Sequence, residues 1–261
     1  MFRASLKAHG GDRLALLNDV AIALDGRWKF LIRRIQPLVT DFRYRVRSEE
    51  RLLLADRLYA ADYRGPGGRK QVLRQPQVAP DAATLVAYDG VASRDPDVRQ
   101  STALTADSFF LFTLGPLALA EHAAAFRLLG SRRERGRDYW LLHLDLVPGL
   151  GESAADEVVL WVDQETQRTH RVQITLEGYV TTQGANVDVT FRSFTERDGF
   201  LFPSAFFERV RAPIAIDAHA WCLTGLDINR GLTLADFDGG DWSGAAERPA
   251  ASPDVEGACL D

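Results

Sequence analysis

From residue 170 to residue 216 apolar side chains stand two apart, and that spacing limits the possible folds more than any other feature of the chain. Val172, Ile174 and Leu176 form one set, Val187, Val189 and Phe191 a second, Ile214 and Ile216 a third. Their neighbours Arg171, Gln173, Asp188, Thr190 and Arg192 must point the other way, because successive side chains on a strand face opposite sides. A segment with one dry and one wet face is a strand of an antiparallel sheet covered on one side. Further strand-like runs occur at residues 41–47, 59–63, 70–74, 85–88, 125–132, 138–146, 158–163, 200–211 and 214–228. Gly65-Pro66-Gly67-Gly68 and Asp89-Gly90 punctuate the early ones as turns. A meander of about ten such strands curls or closes, with its last strand closing the sheet.

Two segments do not alternate. Residues 2–18 read as helix on Leu6, Leu14 and Leu17, broken at Gly10-Gly11 and restarted with Asp12 as a cap. Residues 102–125 are the most apolar part of the chain and include Phe109, Phe110, Phe112, Leu114 and Leu117. They read as two short helices joined at Gly115-Pro116, because proline suits the first turn of a helix. No apolar run reaches the roughly 18–20 residues of a membrane span, so no transmembrane segment is expected and protein must cover this one. Residues 235–261, with Gly239-Gly240, Pro249, Pro253 and several acids, read as an extended or flexible tail. The expected organisation is one domain over 1–234 followed by that tail.

Composition narrows function by exclusion. A net charge of -5 speaks against a nucleic-acid binder, which would show a basic face. Cys222 and Cys259 lack CxxC spacing, so a disulfide and two free thiols both remain open. The histidines at 9, 122, 143, 170 and 219 form no HExxH pattern, and no GxSxG or Walker A sequence occurs. No cofactor and no metal are expected. Gly65-Pro66-Gly67-Gly68-Arg69-Lys70 has a basic end but lies between strands, without the helix N-terminus that holds a phosphate.

Several short motifs together resemble the LolA-like superfamily of outer-membrane lipoprotein-sorting proteins. They are Glu157-Val158-Val159-Leu160-Trp161-Val162-Asp163 with Gln164–Thr169 and Arg171-Val172; Ala8-His9-Gly10-Gly11 with Leu14, Leu17 and Val20; and Asp198-Gly199 with Phe202-Pro203. The resemblance implies an α+β, mainly antiparallel β fold: a strongly curved half-barrel of about eleven strands, with helices over an apolar concave face that accepts acyl chains. It also implies a bacterial, periplasmic carrier. Met1-Phe2-Arg3 leads directly into an amphipathic stretch with no export signal ahead of it, so a cytoplasmic location stays open as the alternative.

On this reading the candidate ligand-binding residues are Phe109, Phe110, Phe112, Leu114 and Leu117 as a lid, and Val172, Ile174, Val189, Phe191 and Ile216 as the wall. His122, beside Glu121 in the apolar segment, could anchor a head group or lie on a helix surface. Asp217 and His219 could form a base with its orienting acid, but their alternation against Ile214, Ile216 and Cys222 puts them on the solvent side. Arg132, Arg133, Arg135 and Arg137 mark a hairpin tip that is either a contact for an acidic partner or membrane, or simply solvated. Three functions compete. A carrier of a lipid or lipoprotein acyl chain predicts an apolar lining, a small-molecule enzyme in the same cavity predicts converging polar groups, and an adaptor with a filled core predicts no pocket.

Overall fold

The structure, a computed structural model, describes residues 1–78, 83–240 and 244–252. After α1 (Phe2–Ala8) and a 3-10 turn (Gly11–Leu16) the chain enters β1 (Asp19–Trp28), then the short helices α2 (Phe30–Ile35) and α3 (Pro37–Thr40). Strands β2 (Arg47–Leu53), β3 (Leu58–Gly65), β4 (Gly68–Arg74), β5 (Thr84–Tyr88) and β6 (Val91–Ala92) follow as hairpins. Helix α4 (Pro96–Leu114) and a 3-10 helix (Gly115–His122) interrupt the sheet. The meander resumes with β7 (Arg127–Glu134), β8 (Arg137–Leu146), β9 (Asp156–Asp163), β10 (Thr169–Leu176), β11 (Ala185–Arg197), β12 (Phe200–Ala212) and β13 (Ile216–Ile228).

All the strands belong to one antiparallel sheet of thirteen, in the order β6-β5-β4-β3-β2-β1-β13-β12-β11-β10-β9-β8-β7. The last strand does not close the sheet, as alternation alone suggested. It returns to the middle and pairs with β1, leaving β6 and β7 as free edges. The result is the α+β half-barrel expected, with two strands more than the eleven implied. Its concave face and α4 share one large apolar core. A smaller cluster of Leu53, Leu58, Ala60, Leu73, Leu232, Phe237 and Ala246 lies apart from it, joining β2–β4 to residues that follow β13.

Three local readings change. Residues 41–47 are not a strand up to Val46: they form turns after α3, with Asp41 in the left-handed region at φ 41°, and β2 begins only at Arg47. The apolar segment is one long helix that starts at Pro96, capped by the Asp95 carboxylate on the Asp97 and Val98 N–H groups, and it breaks at Gly115 as the sequence indicates. Together with the 3-10 helix it spans 27 residues, and an 18-residue window within it has a mean hydropathy of 1.5, long and apolar enough to cross a membrane and longer than the sequence reading allowed. Yet 72% of that window is buried inside the protein, which marks it as a core helix. Finally, Cys222 is buried and disulfide-bonded, while the only other cysteine, Cys259, lies outside the described residues.

Candidate functional site

α4 lies along the trough of the half-barrel and is apolar around most of its circumference, with twelve of its nineteen residues buried. Phe109 wedges against Trp221 (ring centroids 4.8 Å), Phe206 (6.1 Å) and Phe112 (5.8 Å). Phe109, Phe110, Phe112, Leu114 and Leu117 share the core with Val172, Ile174, Val189 and Phe191, and Ile216 packs on its margin. His122 is elsewhere. It lies half-buried at the end of the 3-10 helix, 3.5 Å from Glu121, which also pairs with Arg57. What remains open between α4 and the sheet is a cleft of about 40 Å³, lined by Leu104, Thr105, Ser108, Phe109 and Phe112 on one side and Ile174, Leu176, Val187 and Glu208 on the other. Trp28, Val39 and Arg45 complete it. That volume holds a water or two and no chain, so an acyl ligand would have to displace α4 side chains.

The end of the cleft at Arg45 is polar. Arg45 enters the core from the turn after α3, where Asp41 accepts hydrogen bonds from Lys70 Nζ and Tyr88 Oη, each at 2.8 Å. Gly65 lets the β3–β4 hairpin lie against that turn, since a Cβ there would meet the Arg43 carbonyl at 2.3 Å. The Arg45 guanidinium is 1% exposed and caged by the rings of Phe109 (4.8 Å), Trp28 (5.1 Å), Tyr63 (5.2 Å) and Trp221 (5.7 Å). Its Nη1 donates to the Val39 carbonyl at 2.9 Å, and Nε and Nη2 find no partner among the described residues.

Around it sit other buried polar groups. Glu50 accepts from Ser48 Oγ at 2.7 Å through Oε1, and burial pushes its carboxyl up to about 7 against that bond and the nearby charge of Arg45. Tyr59 and Tyr63 share a 2.7 Å hydroxyl contact. Glu208, half-buried at the cleft, is likewise raised to about 7 by burial. His219 corrects the sequence reading: it is fully buried, stacked 3.5 Å from Trp28 and edge-on to Trp221, while Asp217 is exposed beside Arg209. The cause is a bulge. Glu208 opposes His219 but Arg209 opposes Asp217, so Ala218 is extra and the alternation flips there. Neither His219 nitrogen has a partner, and burial, with Arg45 adding to it, holds the ring well below its usual range.

A search of solved structures finds the whole architecture elsewhere. A DUF1329 family protein from Desulfovibrio piger superposes with a TM-score of 0.53 at 13% identity, over 91% of this chain and 95% of that one. That likeness shows the fold, an open antiparallel half-barrel with helices in its trough. A domain from Vibrio parahaemolyticus named for outer membrane lipoprotein sorting (TM-score 0.47, 11% identity, 91% and 97% covered) and a LolA superfamily protein from Nitrosomonas europaea (0.46, 12%, 90% and 96%) are similar at a lower level. No protein-family model and no curated protein sequence matches the chain.

Elsewhere on this half-barrel many of the charged groups pair with one another. A large depression, about 850 Å³, is an open groove on the outer face lined by Arg135, Arg137, Arg171, Arg192, Arg209 and Arg211 with Glu134 and Asp188. Arg171 pairs with Glu134 and Asp188, Arg211 with Asp188, Arg137 with Asp163 and Arg209 with Asp217, so four of its six arginines have carboxylate partners. The trio His143, Asp145 and Glu157 has metal-like spacing, but Arg127 lies 3.4 Å from His143 and 3.8 Å from Asp145 and supplies the positive partner. Sequence reasoning missed Arg45 and Glu50. Arg45 looked like the wet face of a strand, and Glu50 lies in β2, where Arg47-Ser48-Glu49-Glu50-Arg51 gives no apolar signal.

Proposed function

We propose that the chain is a carrier that holds the apolar chain of a lipid or lipoprotein between α4 and the wall formed by β10, β11 and β13. The observation that carries the reading is the plug-like character of α4, an apolar helix lying in a trough whose wall would otherwise face solvent. Where α4 swings aside, the residues it covers offer a continuous apolar surface. A ligand with about fifteen methylenes would then gain about 12 kcal/mol by burial, enough to offset much of what the helix gives up. The mouth is suited to lipid as well. α3 contributes Val39 to the cleft, and α2 and α3 expose Phe30, Leu31, Ile35 and Leu38 beside it. The Vibrio domain's name, lipoprotein sorting, agrees with this reading, and a periplasmic site of action follows from it.

Native mass spectrometry of protein purified from cells, with lipid extraction under denaturing conditions, is the test. A fatty acid, phospholipid or acylated peptide near one per chain is the expected result. Protein free of lipid that also fails to bind a fluorescent fatty acid such as cis-parinaric acid would end the reading. A second reading, a small-molecule enzyme, draws on Arg45 and Glu208, which line the cleft, and on the buried His219, the register partner of Glu208. It is the weaker one, because among the described residues no carboxylate orients His219 as an acid or base.

A further inference from the structure

The carrier reading leaves the ligand's head group open, and the Arg45 cage addresses it. A buried charge is normally paired, since stripping it of water costs several kcal/mol. Arg45 has one backbone acceptor and no carboxylate within ion-pairing distance among the described residues. Ring faces compensate part of that cost. The two unpartnered nitrogens, Nε and Nη2, lie on the same edge of the planar guanidinium. That edge presents two parallel N–H donors and matches the two oxygens of a carboxylate. Two nearby carboxyls, Glu50 and Glu208, are both pushed by burial up to about 7, so near neutral pH neither is a full counter-ion. Trp221, one of the rings of the cage, and His219, stacked on Trp28, also have buried ring nitrogens without partners among the described residues. Arg45 and Phe109 line the same cleft, so the polar end and the apolar slot are continuous.

We propose that the ligand is a long-chain carboxylic acid whose carboxylate takes the Nε/Nη2 edge of Arg45 while its chain runs between α4 and β10–β11. This rests on the carrier reading. The flat, ring-walled cage favours a planar carboxylate over a tetrahedral phosphate bearing further substituents.

The test uses the full chain, a neutral apolar fluorophore (N-phenyl-1-naphthylamine) as reporter, and displacement by dodecanoate, dodecanol and dodecyl phosphate. Dodecanoate is expected to displace the reporter at about tenfold lower concentration than dodecanol, the scale of a hydrogen bond to a charged group. Arg45→Met should collapse that ratio, and Arg45→Lys, which keeps the charge but loses the two-pronged edge, should restore only part of it. Equal displacement by acid and alcohol, or a ratio that survives Arg45→Met, overturns the head-group assignment while leaving the carrier reading intact. Dodecyl phosphate matching dodecanoate overturns it in favour of a general anion site. A reporter that never binds removes the carrier reading itself. Should both variants fail to fold, carboxyl-labelled dodecanoate on the unaltered protein decides by carbon-13 NMR. A bound carboxyl that stays ionised to lower pH than the free acid supports the contact, and an unshifted titration refutes it.

Discussion

His9 shows how much one residue of a short motif can fix. Its ring is buried, Nδ1 donates to the Leu201 carbonyl at 3.1 Å, and Nε2 accepts from the Thr169 N–H at 3.1 Å, so α1 is tied at once to β10 and β12. Gly10 follows at φ 91°, and a Cβ there would stand 2.5 Å from the Gly199 carbonyl. Gly10→Ala is therefore expected to cost about 2 kcal/mol or more, read from the midpoint of urea unfolding. Titration gives a second prediction. Burial holds His9 at about 4 against an ordinary 6.5, so between those values the unfolded chain binds a proton that the native one refuses, and stability falls as pH drops. Glu50 runs the other way: raised from 4.5 to about 7, it binds a proton in the native state first, and stability grows as pH drops through 7. Each effect is worth about 3 kcal/mol at most, so they largely offset between pH 4.5 and 6.5. Glu50→Gln removes the compensation. The variant should lose more stability than the unaltered protein between pH 7.5 and 5, by about 3 kcal/mol at most, and an equal loss in both would show that Glu50 is ionised throughout.

At the scale of elements, α4 is fixed to the early half of the sheet by a small set of polar ties. Asp107 accepts from Arg74 Nη2 and from the Gly151 N–H, both at 2.8 Å, and Lys70 Nζ donates to Thr102 at 3.1 Å. Asp107→Ala strands the buried Arg74 guanidinium, a loss of about 3 kcal/mol. If α4 opens as a unit, its amides should exchange about a hundredfold faster in that variant while those of β9–β11 stay protected. Uniform acceleration across the sheet would mean that the helix cannot separate from the core. Which elements the sequence reveals follows from how they are covered. β10 alternates between buried and partly exposed positions along most of its length, and its pattern is plain in the sequence. β3 and β4 are buried over nearly their whole length, and β2 buries Glu50 and Arg51, the latter with the Glu49 carboxylate and the Arg248 carbonyl as partners. β2, with charged residues at buried positions, gives no such pattern, whereas β3 and β4 still show strand-like runs at 59–63 and 70–74. Phe42, Tyr44 and Val46 produce the opposite error, a strand pattern satisfied by turns. The apolar residues packed between α4 and the sheet were therefore readable as core, and the buried charged ones, Arg45 and Glu50, were not.

Over the whole molecule, an open thirteen-stranded sheet must protect two edges and a convex surface. β6 is only two residues long, and β7 carries Arg127, Arg132 and Arg133, which discourages pairing with another chain. The convex side of β2–β4 is apolar at Leu53, Leu58, Ala60 and Leu73, and Leu232, Phe237 and Ala246 cover it. The chain is led there by Asp19, a buried carboxylate that accepts from the N–H groups of Arg230, Gly231 and Leu232 at 2.9, 3.0 and 3.2 Å. Removing residues 231–261 would thus leave two of those three donors without a place and bare a patch that the rest of the sheet has nothing to cover with. The truncated chain is expected to lose several kcal/mol of stability, on the scale of deleting a buried Phe, and to self-associate through the exposed strands. Phe237→Ala in the full chain separates the two effects. It should cost about 3 kcal/mol in urea unfolding without light scattering, because the backbone still covers the patch. A truncated chain that stays monomeric with an unchanged midpoint would show that the half-barrel is complete at residue 230 and that the segment beyond it serves something other than the fold.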